Sequence, residues 1–299
     1  MELILFDSAQ RFYERIKSFL LEYEDENNLF IGILSRLAEK DDYQENLFLA
    51  AVIVKSKIAA AALHIPPRNL IVTRARAGAI ALLASRLKTL NIPIPGIVGP
   101  LSEAHQFVKI WKEITDVDLA IQRTMRIYRL DKVIPPEKVA GSIQRAQLKD
   151  VKILRSWFDA FFSEIKSGDS SDLTHAVLSH ALEEGNLYLW KDGEIVSMAG
   201  IARSSPKGKS VNLVYTPKKF RGRGYASNLV ASLSENIIQS GMKFCTLFAD
   251  LKNLTSNQIY INIGYYPVGD FIEYKRRPEG GRKNSSTIEN VPRIIGERA

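Results

Sequence analysis

Residues 211–226, VNLVYTPKKFRGRGYA, constrain this chain more than any other stretch. Val211–Tyr215 reads as an apolar strand. A short basic loop follows, and then Gly222 and Gly224 open into a helix. The apolar positions of that helix, Ala226, Leu229, Val230, Leu233 and Ile237, recur at helical spacing. A strand that feeds a helix through a Gly-rich turn commits this half to a layered arrangement of helices on a sheet. Such a turn leaves the first N–H groups of the helix unpaired, and with the helix dipole they make an anion site. The two glycines remove side chains that would hold an anion away from the backbone.

A second informative segment lies about 30 residues on. It runs NLTSNQIYINIGY, with Asn253 seven residues before Tyr260 and with Gly264-Tyr265 closing it. Together the two segments resemble the GNAT superfamily of acyl-CoA-dependent N-acetyltransferases, whose signature is Arg/Gln-x-x-Gly-x-Gly/Ala. Here the pattern falls on Arg221, Gly224 and Ala226. The resemblance covers residues 142–275 well and residues 1–130 loosely.

The resemblance implies acetyl-CoA as co-substrate. The N–H groups from Arg221 through Gly222, Arg223, Gly224 and Tyr225 to Ala226 would hold its pyrophosphate, with Lys218, Lys219 and Arg223 as cations for phosphates. Main-chain groups of Leu213, Val214 and Tyr215 would pair with the pantetheine arm where this strand splays from its neighbour. The same strand residues also read as plain core. Asn253, with Asn257 beside it, would bind the cofactor arm. Tyr260 would protonate the departing thiolate; a phenol near pKa 10 can donate to a thiolate whose conjugate acid lies near 8.5. Without that role, Tyr260 packs on the sheet and Asn253 caps a turn.

A general base is harder to place. Asp250 ends the strand beside the cofactor helix and is the leading carboxylate, with a turn aspartate as its plainer reading. Asp270 and Glu273 lie on the closing strand. Asn212, where a base often sits in this family, cannot serve as one. An ordered water relay is an equal alternative. Cys245, the single cysteine, lies in the apolar run Phe244–Phe248 with no histidine near it in sequence, and reads as a buried structural thiol. Transfer is therefore expected to be direct, within a ternary complex, with a Val214 or Tyr215 N–H facing the oxyanion. His175 and His180 are five apart and do not share a helix face; His64 and His105 are isolated. No metal site is expected.

Composition narrows the rest. At 299 residues the chain is long enough for two domains, and 45% hydrophobic with 25% charged residues is ordinary for a globular protein. The run Leu47–Val54 is too short to span a bilayer. The opening MELILFDSAQRFYER carries Glu2 and Asp7 and no basic region of the kind a secretory signal has. One cysteine excludes an internal disulfide, and a cytoplasmic location is expected. The net charge of +8 suits a polyphosphate cofactor as well as nucleic acid. The cluster at the Gly-rich turn already has an anionic candidate, so nucleic acid is not the expected partner. A monomer or homodimer, with acetyl-CoA and an amine as ligands, is the expectation.

Along the chain, Phe12, Ile16, Phe19, Leu20 and Tyr23 mark an opening amphipathic helix capped by Asp7 or Ser8. An acidic helix-loop-helix stretch follows. Leu47–Val54 and Ile58–His64 read as strands about a Lys55-Ser56-Lys57 turn, Asn69–Thr73 as a third strand, and Ala77–Leu90 as a helix. Pro93, Pro95, Gly96 and Gly99-Pro100 punctuate. Ser102–Lys112 is a helix with Ser102 as cap, and Leu119–Leu130 a long strand. Paired prolines 135 and 136 mark a linker. Beyond it come a short strand (Ile143–Ala146), a helix capped by Asp150, a second helix (Ser170–Glu184), a hairpin over Asp192-Gly193, the central strand and its helix. A strand (Lys243–Ala249), a last helix (Ser256–Ile263) and a closing strand (Val268–Lys275) complete the order.

The expected class is therefore α/β (α+β), a mixed and mostly antiparallel sheet with helices on both faces. Strand-then-helix recurs at Leu70–Leu90 and at Leu213–Glu235, which suggests tandem GNAT-like domains. Residues 1–132 form either a degenerate GNAT-like half or another α/β domain, 133–141 the linker, 142–275 the catalytic domain, and 276–299 a basic, flexible tail. Arg74–Ala79 lacks paired glycines, so no cofactor site is carried to the first half. The functional expectation is an N-acetyltransferase acting on a small primary amine or amino acid. A protein N-terminal or lysine acetyltransferase, or a non-catalytic acyl-CoA sensor or nucleic-acid binder, stands beside it.

Overall fold

The computed structural model describes residues 1–40, 47–165 and 170–277. The first half runs β1 (Glu2–Phe6), α1 (Ala9–Leu21), α2 (Asn28–Lys40), β2 (Phe48–Val54), β3 (Lys57–His64), β4 (Leu70–Val72), α3 (Ala79–Thr89), β5 (Gly96–Pro100), α4 (Leu101–Thr115) and β6 (Leu119–Leu130). The second half repeats the order: β7 (Ser142–Arg145), α5 (Val151–Glu164), α6 (Ser171–Glu183), β8 (Leu187–Asp192), β9 (Glu194–Ser204), β10 (Gly208–Tyr215), α7 (Tyr225–Gln239), β11 (Phe244–Asp250), α8 (Leu254–Asn262) and β12 (Tyr266–Arg276). Two short 3₁₀ turns, Leu148–Asp150 and Lys218–Phe220, precede α5 and α7.

The twelve strands form one sheet in the order β1-β2-β3-β4-β5-β12-β6-β11-β10-β9-β8-β7. Only β4–β5 and β10–β11 pair in parallel. The halves exchange their last strands. β6 leaves the first half to pair with β11, while β12 leaves the second to pair with β5, and the two exchanged strands pair with each other.

Period-two alternation explains why each central strand looks apolar throughout. On β2 and β3, Leu49, Ala51, Ala61 and Leu63 face Phe12, Ile16, Leu20, Phe30 and Ile31 of α1 and α2. Their neighbours Phe48, Ala50, Val52, Ala60 and Ala62 face Ile80, Leu83, Leu87, Phe107 and Trp111 of α3 and α4. Strands covered on both faces read as unbroken hydrophobic runs. In the second half, Leu189, Met198 and Leu213 pack under α5 and α6, and Val211, Cys245 and Leu247 under α7.

Several local expectations change. The chain opens with β1, not a helix, and Ser8, not Asp7, caps α1 by accepting Arg11 N–H. The Pro/Gly stretch contains β5. A side chain at Gly96 would collide with the Tyr274 carbonyl, and one at Gly99 with Val72, so these glycines let β5 lie close to its neighbours. Helix α4 begins at Leu101 after Pro100, with no side-chain cap; Ser102 bonds Glu103 instead. Asp150 closes a capping box on the 3₁₀ turn, its Oδ2 accepting Gln147 N–H at 2.9 Å, and makes no side-chain cap bond to α5. Part of the acidic stretch after α2 and the tail from 278 onward lie outside the described residues.

The halves are also fastened by the α1–α2 turn. Glu24 accepts Ser205 Oγ–H (2.7 Å) and Lys207 N–H (2.6 Å). Within the first half the same turn is held by Asp25, which meets Arg129 of the exchanged β6 at 3.1 Å, and by Glu26, which holds Arg74 bidentately at 2.6 Å. Residues 131–141 run along the second half. Ile134 N–H donates to the Ile263 carbonyl, Trp190 Nε1–H to the Ala140 carbonyl, and Asn228 Nδ2–H to the Glu137 carbonyl.

Candidate active site

Strands β10 and β11 pair only from Gly208–Phe244 to Val211–Leu247 and then separate. At the point of separation Leu213 has φ +51°, and the register with β9 slips between Asn212 and Tyr215. This bulge turns Leu213 toward Leu154 and Phe158, on the opposite face from Val211. The result is a V-shaped opening within the sheet. Val214 and Tyr215 line the cavity of about 550 Å³ that begins there.

The Gly-rich turn forms one wall. Gly222 and Gly224 both have φ +76°, the left-handed region that glycine enters without penalty. Gly224 also lies against Val139, where a Cβ would stand 3.0 Å from Cγ1, while the space beside Gly222 is open. Residues 221–227 all line the cavity. Among the described residues, none of the N–H groups from Gly222 to Ser227 is given to a protein acceptor. The opposite wall is the first turn of α8, with Asn253, Thr255 and Ser256. Two helix N-termini therefore converge on one opening, and both favour an anion.

Tyr260 lines the cavity, 7% exposed, with its ring edge-on to Tyr265 at 6.1 Å and tilted against Tyr128 at 6.3 Å. Burial pushes its phenol up to about 12, with a Ser256 hydrogen bond acting the other way. The group keeps its proton throughout the neutral range. Asn253 also lines the cavity, and its Oδ1 caps α8 by accepting Ser256 N–H at 3.1 Å.

Other residues expected at the site are used differently. Leu213 is core, turned there by the bulge. Asn257 braces α8: its Nδ2 donates to the carbonyls of Asp250 and Asn253, and its Oδ1 accepts Tyr128 O–H at 2.7 Å. Lys218 is exposed and does not line the cavity, and Lys219 pairs with Glu194. The Arg221 side chain does not hang free. It donates to the Thr216 carbonyl and to both Glu164 oxygens, at 2.8 Å each, and so ties α5 to the turn. The Tyr225 hydroxyl donates to Asp192 at 2.6 Å, while its backbone lies at the turn.

The carboxylates considered as bases are all engaged. Asp250 Oδ1 accepts Lys252 N–H at 2.8 Å in a turn and does not line the cavity. Asp270 is bidentate to Arg126, and Glu273 is shared by Asn69 and Arg123. Cys245 is fully buried, and burial pushes its thiol up to about 12, so it is no nucleophile.

Sequence reading missed Phe161, Glu164, Ile165 and Phe220 as cavity residues. Phe161 was visible only as part of an apolar helix face. Nothing in the sequence tells which end of that face is left uncovered.

Residues 190–270 match the family model described as FR47-like protein. The solved structures decide the fold. A GCN5-related N-acetyltransferase from Sphaerobacter thermophilus aligns over 92% of this chain and 96% of its own, at TM-score 0.62 and 13% identity. The chain has the GNAT fold, in tandem. A tandem GNAT protein from the clavulanic acid biosynthesis pathway aligns over 91% of this chain and 97% of its own, at TM-score 0.55 and 10% identity. A GNAT-family acetyltransferase from Colwellia psychrerythraea aligns over 93% and 100%, at TM-score 0.58 and 9% identity. A search of curated proteins finds no match. Within the GNAT fold the splayed strands, the Gly-rich turn and Tyr260 all belong to the second half. No helix among the described residues is long and apolar enough to cross a membrane.

Proposed function

We propose that the chain is an acetyl-CoA-dependent N-acetyltransferase whose single active site lies in the second half. One observation carries this reading: the orphan N–H groups of Gly222 to Ser227, the first turn of α8 and the gap between β10 and β11 open into one cavity that Tyr260 also lines. A helix-end anion site continuous with a slot for an extended arm fits a pyrophosphate joined to a pantetheine chain. A simple phosphate site would not need the splayed strands.

Residues 221–226 would take the pyrophosphate, and Arg223 supplies a cation at its rim. The main chain about Val214 would pair with the arm as an added strand does, while the Tyr215 carbonyl already accepts the Ser197 hydroxyl. A neutral acceptor amine attacks the thioester carbon. The C–S bond breaks as the C–N bond forms, and the sulfur leaves with a proton from Tyr260. The amine nitrogen loses its proton to water, and Tyr260 regains one from solvent. A backbone N–H of Val214 or Tyr215 faces the developing oxyanion. With Asp250, Asp270 and Glu273 committed elsewhere, water is the proton acceptor this reading favours.

Calorimetric titration of the full chain with acetyl-CoA, followed by thiol release over a panel of amines, tests the proposal. One bound equivalent and release with one amine class is the expected result. No binding would end the acyl-CoA reading, and binding without release on any amine would leave a sensor.

A further inference from the structure

A second cavity, of about 620 Å³, opens in the first half and shares no lining residue with the one assigned to the reaction. Its size is that of a small-molecule site. It lies at the C-terminal ends of α3 and α4, at the far end of α3 from Gly78, and so is not the counterpart of the proposed cofactor turn. Pro66, Pro93, Ile94, Ile114 and Val117 give it a mostly apolar wall.

Two side chains that line this cavity are polar, buried and unpartnered. His64 ends β3, two residues beyond Ala62, on the strand face that packs against α3 and α4. Trp111 lies one turn beyond Phe107 on α4, stacked on it at 5.4 Å, and packs on that same face. Both therefore sit in the layer between the sheet and α4, and both line the cavity. His64 is 0% exposed and Trp111 4%. Neither imidazole nitrogen has a hydrogen-bond partner, and the indole N–H has none. Burial holds the His64 pKa below the usual histidine value, and the nearby Arg68 main chain only partly opposes this. The neutral ring still carries one proton to donate. Two buried donors without acceptors are costly, and folded proteins leave few of them.

The acceptors at this end of the fold are, by contrast, already used. Thr115 Oγ1–H donates to the Trp111 carbonyl at 2.6 Å, Asp116 N–H to the Lys112 carbonyl at 3.0 Å, and Lys88 Nζ to the Ile114 carbonyl. At the end of α3 the carbonyls of Arg86, Leu87 and Lys88 accept the N–H groups of Leu90, Ile92 and Asn91. Among the described residues that line the cavity there is no aspartate or glutamate, while Lys88 and Arg276 both stand there. Donors without acceptors, two cations and an apolar wall are complementary to an anion with an apolar body.

We infer that this cavity is a second binding site, for a small organic acid with an aromatic or branched apolar body. The carboxylate accepts from the Trp111 indole and the His64 imidazole within the field of Lys88 and Arg276, and the body fills the space between the prolines and Ile114. The ring nitrogens are closed to water, so binding turns the two rings toward the acid, and their resonances report it. This inference stands whether or not the chain transfers acetyl groups.

The test is a titration of the full chain, carrying isotope-labelled tryptophan and histidine, followed by nuclear magnetic resonance. The three tryptophans and four histidines give few signals to assign. Phenylacetate and isovalerate should move those of Trp111 and His64 and leave those of Trp157 and Trp190 in place, with a Kd below about 1 mM. Phenylacetamide and isovaleramide should bind at least about 10-fold more weakly. Trp111→Phe keeps the bulk and removes a donor, so phenylacetate affinity should fall by about 10-fold while Tm holds or rises. Lys88→Met, at an exposed position, should weaken phenylacetate and spare phenylacetamide, and it decides the matter if the Trp111 variant does not fold. Saturating acetyl-CoA should not displace the acid. Unmoved Trp111 and His64 signals overturn the inference, as do equal affinities for acid and amide. So does a Trp111→Phe or Lys88→Met protein that binds phenylacetate as the wild type does. Displacement by acetyl-CoA would place the acid in the other cavity and overturn it too.

Discussion

At the scale of single residues the proposed site rests on backbone freedom at two glycines and on one buried phenol. Gly222 and Gly224 share a left-handed conformation, but their surroundings differ. Gly224 is hemmed by Val139, so any side chain there adds strain to blockage. Gly222 opens into free space, and aspartate tolerates its φ. Gly222→Asp should therefore fold normally while placing a carboxylate among the orphan N–H groups. Acetyl-CoA affinity should fall by about 100-fold, or ~3 kcal/mol, with Tm shifted by only a few degrees; unchanged affinity would remove the turn from the site. Tyr260 tests the chemistry. Tyr260→Phe should lower kcat by about 10- to 100-fold and leave the acetyl-CoA Kd alone. Because burial raises this phenol to about 12, its neutral form is favoured by folding. Whatever stability that neutral form contributes is fully present below the unfolded value near 10 and is lost as pH rises through the folded value. The tyrosinate absorbance that Tyr260→Phe removes should accordingly appear near pH 12; a signal near pH 10 would mean the ring is not buried as described.

Among elements, comparison of the two Gly-rich positions shows why the proposed cofactor site is placed in the second half. Gly78 stands before α3 as Gly224 stands before α7, both left-handed. Around Gly78, however, the turn is closed by its own protein. Glu103 from α4 accepts Ala75 N–H at 3.1 Å, and Arg74 is held by Glu26. A carboxylate thus stands against this turn, and the Arg76 and Ala79 N–H groups are given to the Ala59 and Arg76 carbonyls, whereas those of Gly222 to Ser227 are not given to a protein acceptor among the described residues. Calorimetry should give one equivalent of acetyl-CoA per chain, and two would show that the Glu103 contact is displaced. The sequence expectation of no cofactor site there rests on a different feature, the lack of paired glycines in Arg74–Ala79. The β10 bulge, by contrast, leaves no mark in the apolar run VNLVY. Whether a strand keeps pairing with its neighbour depends on where that neighbour ends, and the neighbour lies more than thirty residues away in sequence.

For the whole molecule, the exchange of β6 and β12 makes the tandem inseparable. A cut in the connection near residue 134 leaves β5 without β12 and leaves β6 without both of its partners. Exposed, unpaired strand edges aggregate. Residues 1–134 expressed alone should be insoluble, while coexpression with 135–277 should rebuild a soluble complex that binds acetyl-CoA. A soluble, monomeric 1–134 with native-like hydrogen-exchange protection in β5 would show that the exchanged pairing is dispensable.

The sequence by itself determined the element order of the second half, most of that of the first, the strand–turn–helix at Val211–Ala226, and the positions of Tyr260 and Asn253. Each is written in a local period or a local turn chemistry that needs only neighbours in the chain. It did not reveal β5, whose prolines and glycines look like a loop until Val72 and Tyr274 are seen to crowd them. It also offered Asp250, Asp270 and Glu273 as candidate bases, when each is engaged by a partner, Asp250 in the turn that was its plainer reading. Arg126 and Arg123 come from a strand that belongs to the other half. The strand exchange, the convergence of two helix ends on one cavity and the meeting of unpartnered His64 and Trp111 on another were decided only by the tertiary structure. They depend on which distant segments share a hydrogen-bond ladder or a packed face, and residue types and spacings along one chain carry no record of that.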